Sequence, residues 1–540
     1  MRRAMTSTKT RVGWFLLILL VLAVYFCGLG SYGFIDPDEG RYAEIPREMI
    51  ESGDFITPRL NYVKYFEKPV LHYWLTAGAF LLLGQNEFAG RITPVLLGLG
   101  GCLLTFSLAL RVTGSRRTGG FAALALVTSI LWYALSRLNI TDMTVTFFFT
   151  LALWSYRFWL DENKRRWLLL FYAAMALATL TKGLMGVVLP GGIAVLHLVF
   201  TRQWRALPRL FSPLAIALYF VMTVPWFWAV CQANSDFFDF FFIREHLLRY
   251  LTTVHDRYEP AWFFIPIILA AFVPWTGMLW DAARVVFGKC AAVSRSDGIF
   301  LGLWFAVPFV FFSFSSSKLI PYILPCMPPV AVLIGAAVET MDRRACWRFI
   351  GLNALLLLPL ALTGLSWPAL SADPDVRGMI YPALALSVGL LAFWGASFLL
   401  LRKPKWAPLL LCALGAIVLF AVSPAFKVEA DRLSRRDIAA CVPDGADDVV
   451  VYQNLMQGMP FYLGRRVVTA DILNELEFGA AQENDPRWFI SNEQLRLLWE
   501  GPGRVLVATQ KGDRDTLLRT LGKEPARTWE SRGDILFSNF

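Results

Sequence analysis

Apolar residues come in long unbroken blocks along this chain rather than in short alternating runs. Thirteen blocks stand out, at residues 12–30, 91–110, 118–136, 143–160, 167–181, 183–201, 211–231, 261–280, 298–317, 319–339, 349–367, 380–401 and 407–425. A helix of about 20 apolar residues crosses the hydrocarbon core of a bilayer. The pattern therefore predicts an α-helical polytopic membrane protein with about thirteen transmembrane helices. The block from Pro69 to Gly84 has only 16 residues, about 24 Å as a helix against a core of roughly 30 Å, and is predicted to lie in the interface. The stretch Trp167 to Thr201 is too long for one crossing and has basic clusters at both ends. It is predicted to form a hairpin that turns at Thr181-Lys182-Gly183.

Charge between the blocks gives the orientation. The seven segments expected inside carry 22 basic residues, beginning with Arg2, Arg3, Lys9 and Arg11 and ending with Arg402, Lys403 and Lys405. The four short loops expected outside carry one each: Arg137, Lys182, Lys318 and Arg377. This is the asymmetry of the positive-inside rule, and counting Pro69–Gly84 as a crossing would invert it for every later loop. The first block is about 19 residues, longer than the roughly 7–15 of a signal peptide's apolar region, so it is expected to remain as the first span. With a cytoplasmic start and an odd number of spans, the tail lies outside.

That tail, residues 426–540, carries 15 Lys+Arg against 18 Asp+Glu. Its β-like runs DDVVVYQN, RVLVATQ and DILFSNF alternate with the helical pattern SNEQLRLLWE, which predicts a small α/β domain. The expected division is thus a membrane domain over 1–425, with long outer loops at 31–91 and 232–260, and a periplasmic domain over 426–540.

Composition narrows the function classes. Hydrophobic residues are 56% of the 540 and charged residues 17%, against roughly 25% charged in an ordinary soluble chain. The mean hydropathy is +0.51. A single water-soluble globule is excluded. The net charge of +10 belongs to the membrane part and follows its inner loops, so no nucleic-acid partner is expected. The eight cysteines are scattered with no CxxC, and no P-loop or dinucleotide fingerprint occurs.

The spans are nearly free of charge at mid-depth. Arg157 is the exception, one turn from the cytoplasmic end, where it can snorkel. Ion-coupled carriers place ionisable groups near the midplane, so a transporter or flippase of lipid-linked sugars is the less favoured class. Charge collects on the outer side instead. The first outer loop reads FIDPDEGRYAEIPREM and continues to NYVKYFEKP, with Asp36, Asp38, Glu39, Arg41, Tyr42, Glu44, Glu67 and Lys68. The second holds FFIREHLLRY with Arg244, Glu245, His246 and Arg249. Short turns add Arg137, Asp142, Lys182, Lys318 and Tyr322. Carboxylates, basic groups and tyrosine gathered at one bilayer face suit a lipid-phosphate substrate.

Each piece also has a plainer structural reading. Asp38 and Glu39 suit the first turn of a helix after Pro37. Lys182 and Lys318 suit interfacial anchors. A lone histidine such as His246 is more often a hydrogen-bonding residue than a metal ligand. Asp36-Pro37-Asp38 imitates the DxD of nucleotide-sugar enzymes but lies outside, where such donors are not expected.

Through DPDEGRYAE and FEKP, with REHLLRY and SKLIPYILP downstream, the chain resembles the lipid A aminoarabinose transferases. These belong to the polyprenyl-phosphate-dependent glycosyltransferases of the GT-C fold, which also include the protein O-mannosyltransferases. The resemblance runs over nearly the whole chain. It implies a bacterial inner-membrane enzyme that moves 4-amino-4-deoxy-L-arabinose from undecaprenyl phosphate to lipid A on the periplasmic side. Carried over by motif, Asp38 matches the catalytic aspartate and Lys68 the lysine near the donor phosphate. Asp142 matches the acid of the second outer turn, and Tyr322 the tyrosine of the KLxxYILP run. Glu67 and His246 match positions able to hold a divalent metal in relatives, though no cofactor is required by the expected chemistry. Asp36 matches no family position and is assigned no role.

Cleaving a sugar–phosphate bond builds positive charge on the sugar and negative charge on the departing phosphate. Lys68, helped by Arg249, Lys318 or Tyr322, is expected to bind that phosphate. Asp38 is expected to take an acceptor proton and to face the oxocarbenium-like sugar, with inversion at the anomeric carbon. Glu39, Arg41, Tyr42, Asp142 and Lys182 are expected to support substrate binding. A lipid A phosphate needs little help from a base, because its second pKa is about 6. A protein or another envelope glycan therefore stays open as the acceptor.

Overall fold

Each of the thirteen apolar blocks falls mainly on helix, with turns at some ends and breaks inside two of them. The computed structural model describes residues 8–248, 259–287, 293–370, 379–402, 407–483 and 485–540. By length and composition, seven of its helices suffice to cross a membrane: Glu87–Thr113, Leu207–Ala233, Arg295–Phe314, Ile320–Glu339, Arg343–Thr363, Ile380–Leu401 and Ala407–Leu433. Two bent pairs bring the number to nine: Arg116–Val127 with Ile130–Ser136 at 66°, and Phe264–Ala271 with Thr276–Val286 at 110°. The chain is a multi-pass helical membrane protein. The other four blocks fall on helices that are too short or too polar by the same measure. Gly13–Phe26 and Met185–Phe200 are short, Thr141–Glu162 is diluted by threonines, and Arg165–Lys182 carries three basic residues.

The chain forms two compact units, one of residues 1–27, 94–227 and 242–423, the other of residues 28–93, 228–241 and 424–540. In the first unit, the two bends answer one another. Thr128 and Ser129 turn their hydroxyls back onto the carbonyls of Leu124 and Ala125, both at 2.6 Å, an arrangement that loosens a helix. The freed amide of Ile130 donates to the Val273 carbonyl at 3.1 Å, and the Trp275 indole donates to Thr128 Oγ1 at 2.8 Å. Backbone polarity exposed by one break is thus satisfied at the other, as a hydrocarbon surrounding demands.

The predicted hairpin is present. Arg165–Lys182 ends at Gly183, whose φ of 83° favours glycine, and Met185–Phe200 returns. Near the turn, a Cβ on Gly186 would stand 2.4 Å from the Ala178 carbonyl carbon.

In the second unit, six strands form a mixed sheet in the order β5-β4-β3-β6-β8-β7: β3 Asp448–Tyr452, β4 Val468–Ala470, β5 Phe489–Ile490, β6 Val505–Gln510, β7 Arg527–Glu530 and β8 Asp534–Ser538. A hairpin of β1 Arg59–Leu60 and β2 Val63–Lys64 lies in the first loop. Strands β3, β4, β5 and β6 pair in parallel; β6–β8 and β7–β8 are antiparallel. The three predicted strand runs are β3, β6 and β8. SNEQLRLLWE is the helix Asn492–Glu500, opened by a Ser491/Gln494 capping box, the reciprocal pairing expected of that spacing. Alternate residues of β3 enter two cores, Val450 and Tyr452 on one face and Val449 and Val451 on the other, which is why the run reads as continuously apolar.

The first long loop belongs to this same unit. Asn61 donates to the Val467 carbonyl at 2.9 Å and accepts from the Val467 amide at 3.0 Å. Phe66 packs on Phe237, Phe240 and Phe478. The short apolar block is the helix Leu71–Leu83, which ends in three exposed leucines, Leu81, Leu82 and Leu83. They give it the apolar end of an interfacial helix.

Candidate functional site

The charged outer residues fall in both units, and each group is described within its own. In the second unit, the helix Asp38–Ser52 starts directly after Pro37 with Asp38 and Glu39 in its first turn, where carboxylates complement the helix dipole. Their side chains diverge. Asp38 is 58% exposed and pairs with Arg41 one turn on. Glu39 is buried: Arg91 grips it through two hydrogen bonds of 2.8 and 2.7 Å, and the Ile35 amide donates to it at 3.0 Å. Arg91 also donates to the carbonyls of Leu29, Tyr32 and Gly33. Glu39 therefore anchors the start of the helix.

Arg41 is buried as well. It donates to Tyr65 Oη at 2.9 Å and pairs with Glu475 besides Asp38. Burial disfavours its charge, but the surrounding Tyr65, Glu475, Tyr42 and Asp38 hold its pKa above the ordinary arginine value. It sets the orientation of Asp38. Tyr42 is buried, with His72 at 5.4 Å edge-on and Tyr73 at 5.9 Å. Lys68 keeps 16% of its side chain exposed, with Nζ 3.0 Å from the Glu67 carbonyl and 3.7 Å from its carboxylate. Asp38 is thus the most open of these predicted side chains, and Lys68 is a partly exposed lysine beside Glu67.

The residue given no role from sequence has one. Asp36 is buried and accepts from Arg435 at 3.0 Å and from the Gly458 amide at 3.2 Å. Arg435 reaches Asp534 with its other arm at 2.5 Å. Burial pushes the Asp36 carboxyl up to about 6, against the pull of Arg435 and the Gly458 amide. Burial likewise raises Asp534.

In the first unit, Asp142 opens the helix Thr141–Glu162 and Lys182 closes Arg165–Lys182. Because these helices run antiparallel, the two meet as an ion pair of 2.5 Å. Lys182 Nζ also stands 4.7 Å above the Tyr322 ring, so three predicted residues converge. Lys318 does not join them. Its Nζ donates to the Glu259 and Ser315 carbonyls, both at 2.6 Å, and burial lowers its pKa. Arg137 donates to the carbonyls of Val24, Tyr25 and Cys27 and staples the end of the first helix.

His246 falls in the π-helix Asp239–Leu248, but its side chain, and Arg249 altogether, lie outside the described residues. Among the described residues, no three His, Cys, Asp or Glu side chains gather to hold a cation. Sequence reasoning missed Arg91 and Arg435. The only local signal was an arginine at the start of a span and another at the start of the tail.

Residues 10–241 match the family model of dolichyl-phosphate-mannose-protein mannosyltransferases, and residues 438–520 match that of the aminoarabinose transferase C-terminal domain. The undecaprenyl phosphate-alpha-4-amino-4-deoxy-L-arabinose arabinosyl transferase 2 of Pseudomonas fluorescens is 33% identical, over 79% of this chain and 77% of its own. The corresponding transferase of Edwardsiella ictaluri is 31% identical over 90% and 91%. In three dimensions, the crystal structure of ArnT from Cupriavidus metallidurans bound to undecaprenyl phosphate superposes with a TM-score of 0.87, at 30% identity and over 98% of both chains. Identity at this level across nearly the full length of both membrane part and tail places the chain in the undecaprenyl phosphate-alpha-4-amino-4-deoxy-L-arabinose arabinosyl transferase family.

Proposed function

We propose that this protein transfers 4-amino-4-deoxy-L-arabinose from undecaprenyl phosphate to a lipid A phosphate at the periplasmic face of a bacterial inner membrane. The observation that carries the reading is the full-length likeness, at a TM-score of 0.87, to an enzyme holding undecaprenyl phosphate. All thirteen apolar blocks cross in this reading, the basic loops face the cytoplasm, and Asp38, Lys68, Asp142 and Lys182 face the periplasm. The charged ends of Thr141–Glu162 and Arg165–Lys182 suit spans that exclude lipid by packing on neighbours.

In the transfer, the bond between the sugar's anomeric carbon and the phosphate oxygen breaks, and its electron pair leaves with the undecaprenyl phosphate. An acceptor oxygen forms the new bond from the opposite side. Lys68 is the phosphate-binding group of the first loop, a partly exposed lysine near Glu67; Lys182, Tyr322, Lys318 and Arg249 are assigned supporting contacts to phosphate or sugar. Asp38 faces the electron-poor sugar, and with a hydroxyl acceptor it also takes the proton. A lipid A phosphate arrives mostly ionised, because its second pKa is about 6, and the charge of Asp38 is then needed on the sugar alone. Positive charge from lysine and arginine serves the leaving group without a cofactor. A divalent ion on Glu67 and His246 would supply the same charge, with Glu67 giving up Lys68.

The protein-acceptor alternative draws on the mannosyltransferase match in residues 10–241, and the aminoarabinose-transferase tail at 438–520 argues for lipid A. Mass spectrometry of lipid A from cells with and without the protein decides between them. A pentosamine-sized increment that depends on the protein is expected. Unchanged lipid A together with a newly glycosylated protein would transfer the assignment to the alternative.

A further inference from the structure

Three arginines crowd into eight residues where the helix Met185–Phe200 has just ended: Arg202, Arg205 and Arg209. With Trp204 they form one wall of a cavity of about 520 Å³, and Trp159 and Leu160 from the end of Thr141–Glu162 form the other. Both helices end here, which agrees with the charge reading that sends each of them from the periplasmic to the cytoplasmic side.

The acids nearby are already engaged. Asp161 pairs with Arg111 and Arg157, and Glu162 pairs with Lys164 and Arg166. The three cavity arginines are exposed, and among the described residues no carboxylate lines the cavity or pairs with them. A single arginine complements a helix end; three around one hollow leave positive charge for a ligand to balance. Guanidinium groups match phosphate oxygens in pairs. The volume lies in the usual small-ligand range of about 300–1,000 Å³. Trp204 is 56% exposed, placing an amphipathic ring at the depth where headgroups meet acyl chains.

We infer that this cavity binds the phosphate headgroup of an anionic membrane phospholipid on the cytoplasmic face, a site separate from the sugar-transfer residues. Basic hollows at helix ends are the usual receptors for such lipids. A soluble polyphosphate offers the same chemistry without the acyl chain, and Trp159, Leu160 and Trp204 favour the lipid.

The test is native mass spectrometry of the full-length protein in detergent, with dioleoyl phosphatidylglycerol, dioleoyl phosphatidylcholine or inorganic pyrophosphate. No donor or acceptor is present, so the readout is independent of transferase activity. Phosphatidylglycerol adducts are expected at least fivefold above phosphatidylcholine adducts. The triple variant Arg202→Gln, Arg205→Gln, Arg209→Gln is expected to abolish the difference. If the triple variant does not fold, Arg205→Gln alone is expected to lower the preference at least twofold. Equal adducts of the two lipids, or a preference that survives in whichever variant folds, would overturn the inference. Arginine-dependent binding of pyrophosphate without any lipid preference would overturn it too, and would identify the ligand as a soluble phosphate.

Discussion

Asp36 and Asp38 stand two residues apart and meet opposite surroundings, one sealed against Arg435 and the other left open beside Arg41. The open carboxylate costs little to alter structurally, since it is 58% exposed and Arg41 keeps Glu475 and Tyr65 as partners. Asp38→Asn is therefore expected to abolish turnover of a short-chain polyprenyl phospho-sugar while the purified protein keeps its Tm within a few degrees, and Lys68→Ala is expected to abolish turnover in folded protein. Near-normal turnover by either variant removes that residue from the mechanism. Asp36 makes a different prediction. Its folded pKa of about 6 lies above the ordinary aspartate value, so between about pH 4 and 6 the folded chain holds a proton that the unfolded chain has released. Stability at this carboxyl is thus full below that window and is lost as pH rises through it. Tm measured across the window should fall in the native protein relative to Asp36→Asn, which cannot titrate; parallel curves would refute the assignment. The DPDE motif was legible because its residues are contiguous. The role of Asp36 was not, since its partner lies 399 residues away and neither spacing nor charge along the chain carries that information.

Helices and turns were the most readable level. The hairpin at Thr181-Lys182-Gly183 follows from two basic clusters that must share one side of the membrane, and its helices end where that argument puts the turn. Bends were not readable in this way. A run of apolar residues looks the same whether straight or broken, and the Ile130–Val273 hydrogen bond that accommodates two breaks joins segments over 140 residues apart. The apolar blocks 143–160 and 167–181 did mark the helices Thr141–Glu162 and Arg165–Lys182, but not that charges at their ends pair with one another. The packing of this hairpin rests on Gly186. A methyl group there would press on the Ala178–Thr179 backbone, at 2.4 and 2.5 Å, and backbone within a helix cannot swing aside as a side chain does. Gly186→Ala is expected to cost about 1–3 kcal/mol by overpacking, although alanine is the better helix former. The same change at Gly191, where nothing stands within 4 Å, should leave Tm unchanged or raise it. Equal Tm for the two variants would show that the hairpin does not depend on this contact.

The candidate catalytic residues all precede residue 424, yet the loop that carries Asp38 and Lys68 is built into one unit with the tail. Sequence division at 425 separates what buried polar contacts join. Asp36 binds Arg435, Arg41 pairs with Glu475, and Asn61 exchanges two hydrogen bonds with Val467. These tail groups satisfy charges and amides that the loop cannot satisfy alone, and removing one partner of a buried pair costs about 3–5 kcal/mol. A chain ending at residue 423 is therefore expected to insert in the membrane and to lose transfer, even though it retains Asp38, Lys68, Asp142 and Lys182. Arg435→Ala should reproduce the loss in part by removing the link between Asp36 and Asp534. Arg496→Ala, which breaks only an exposed pair with Glu500 on one tail helix, should leave activity intact and so controls for general damage to the tail. Limited proteolysis separates this account from one in which the tail binds substrate. If the tail shapes the loop, cleavage within residues 28–93 should accelerate in both the truncated chain and Arg435→Ala. Unchanged cleavage with activity lost would move the tail's contribution from shaping the loop to contacting substrate, and full activity in the truncated chain would remove it from the reaction.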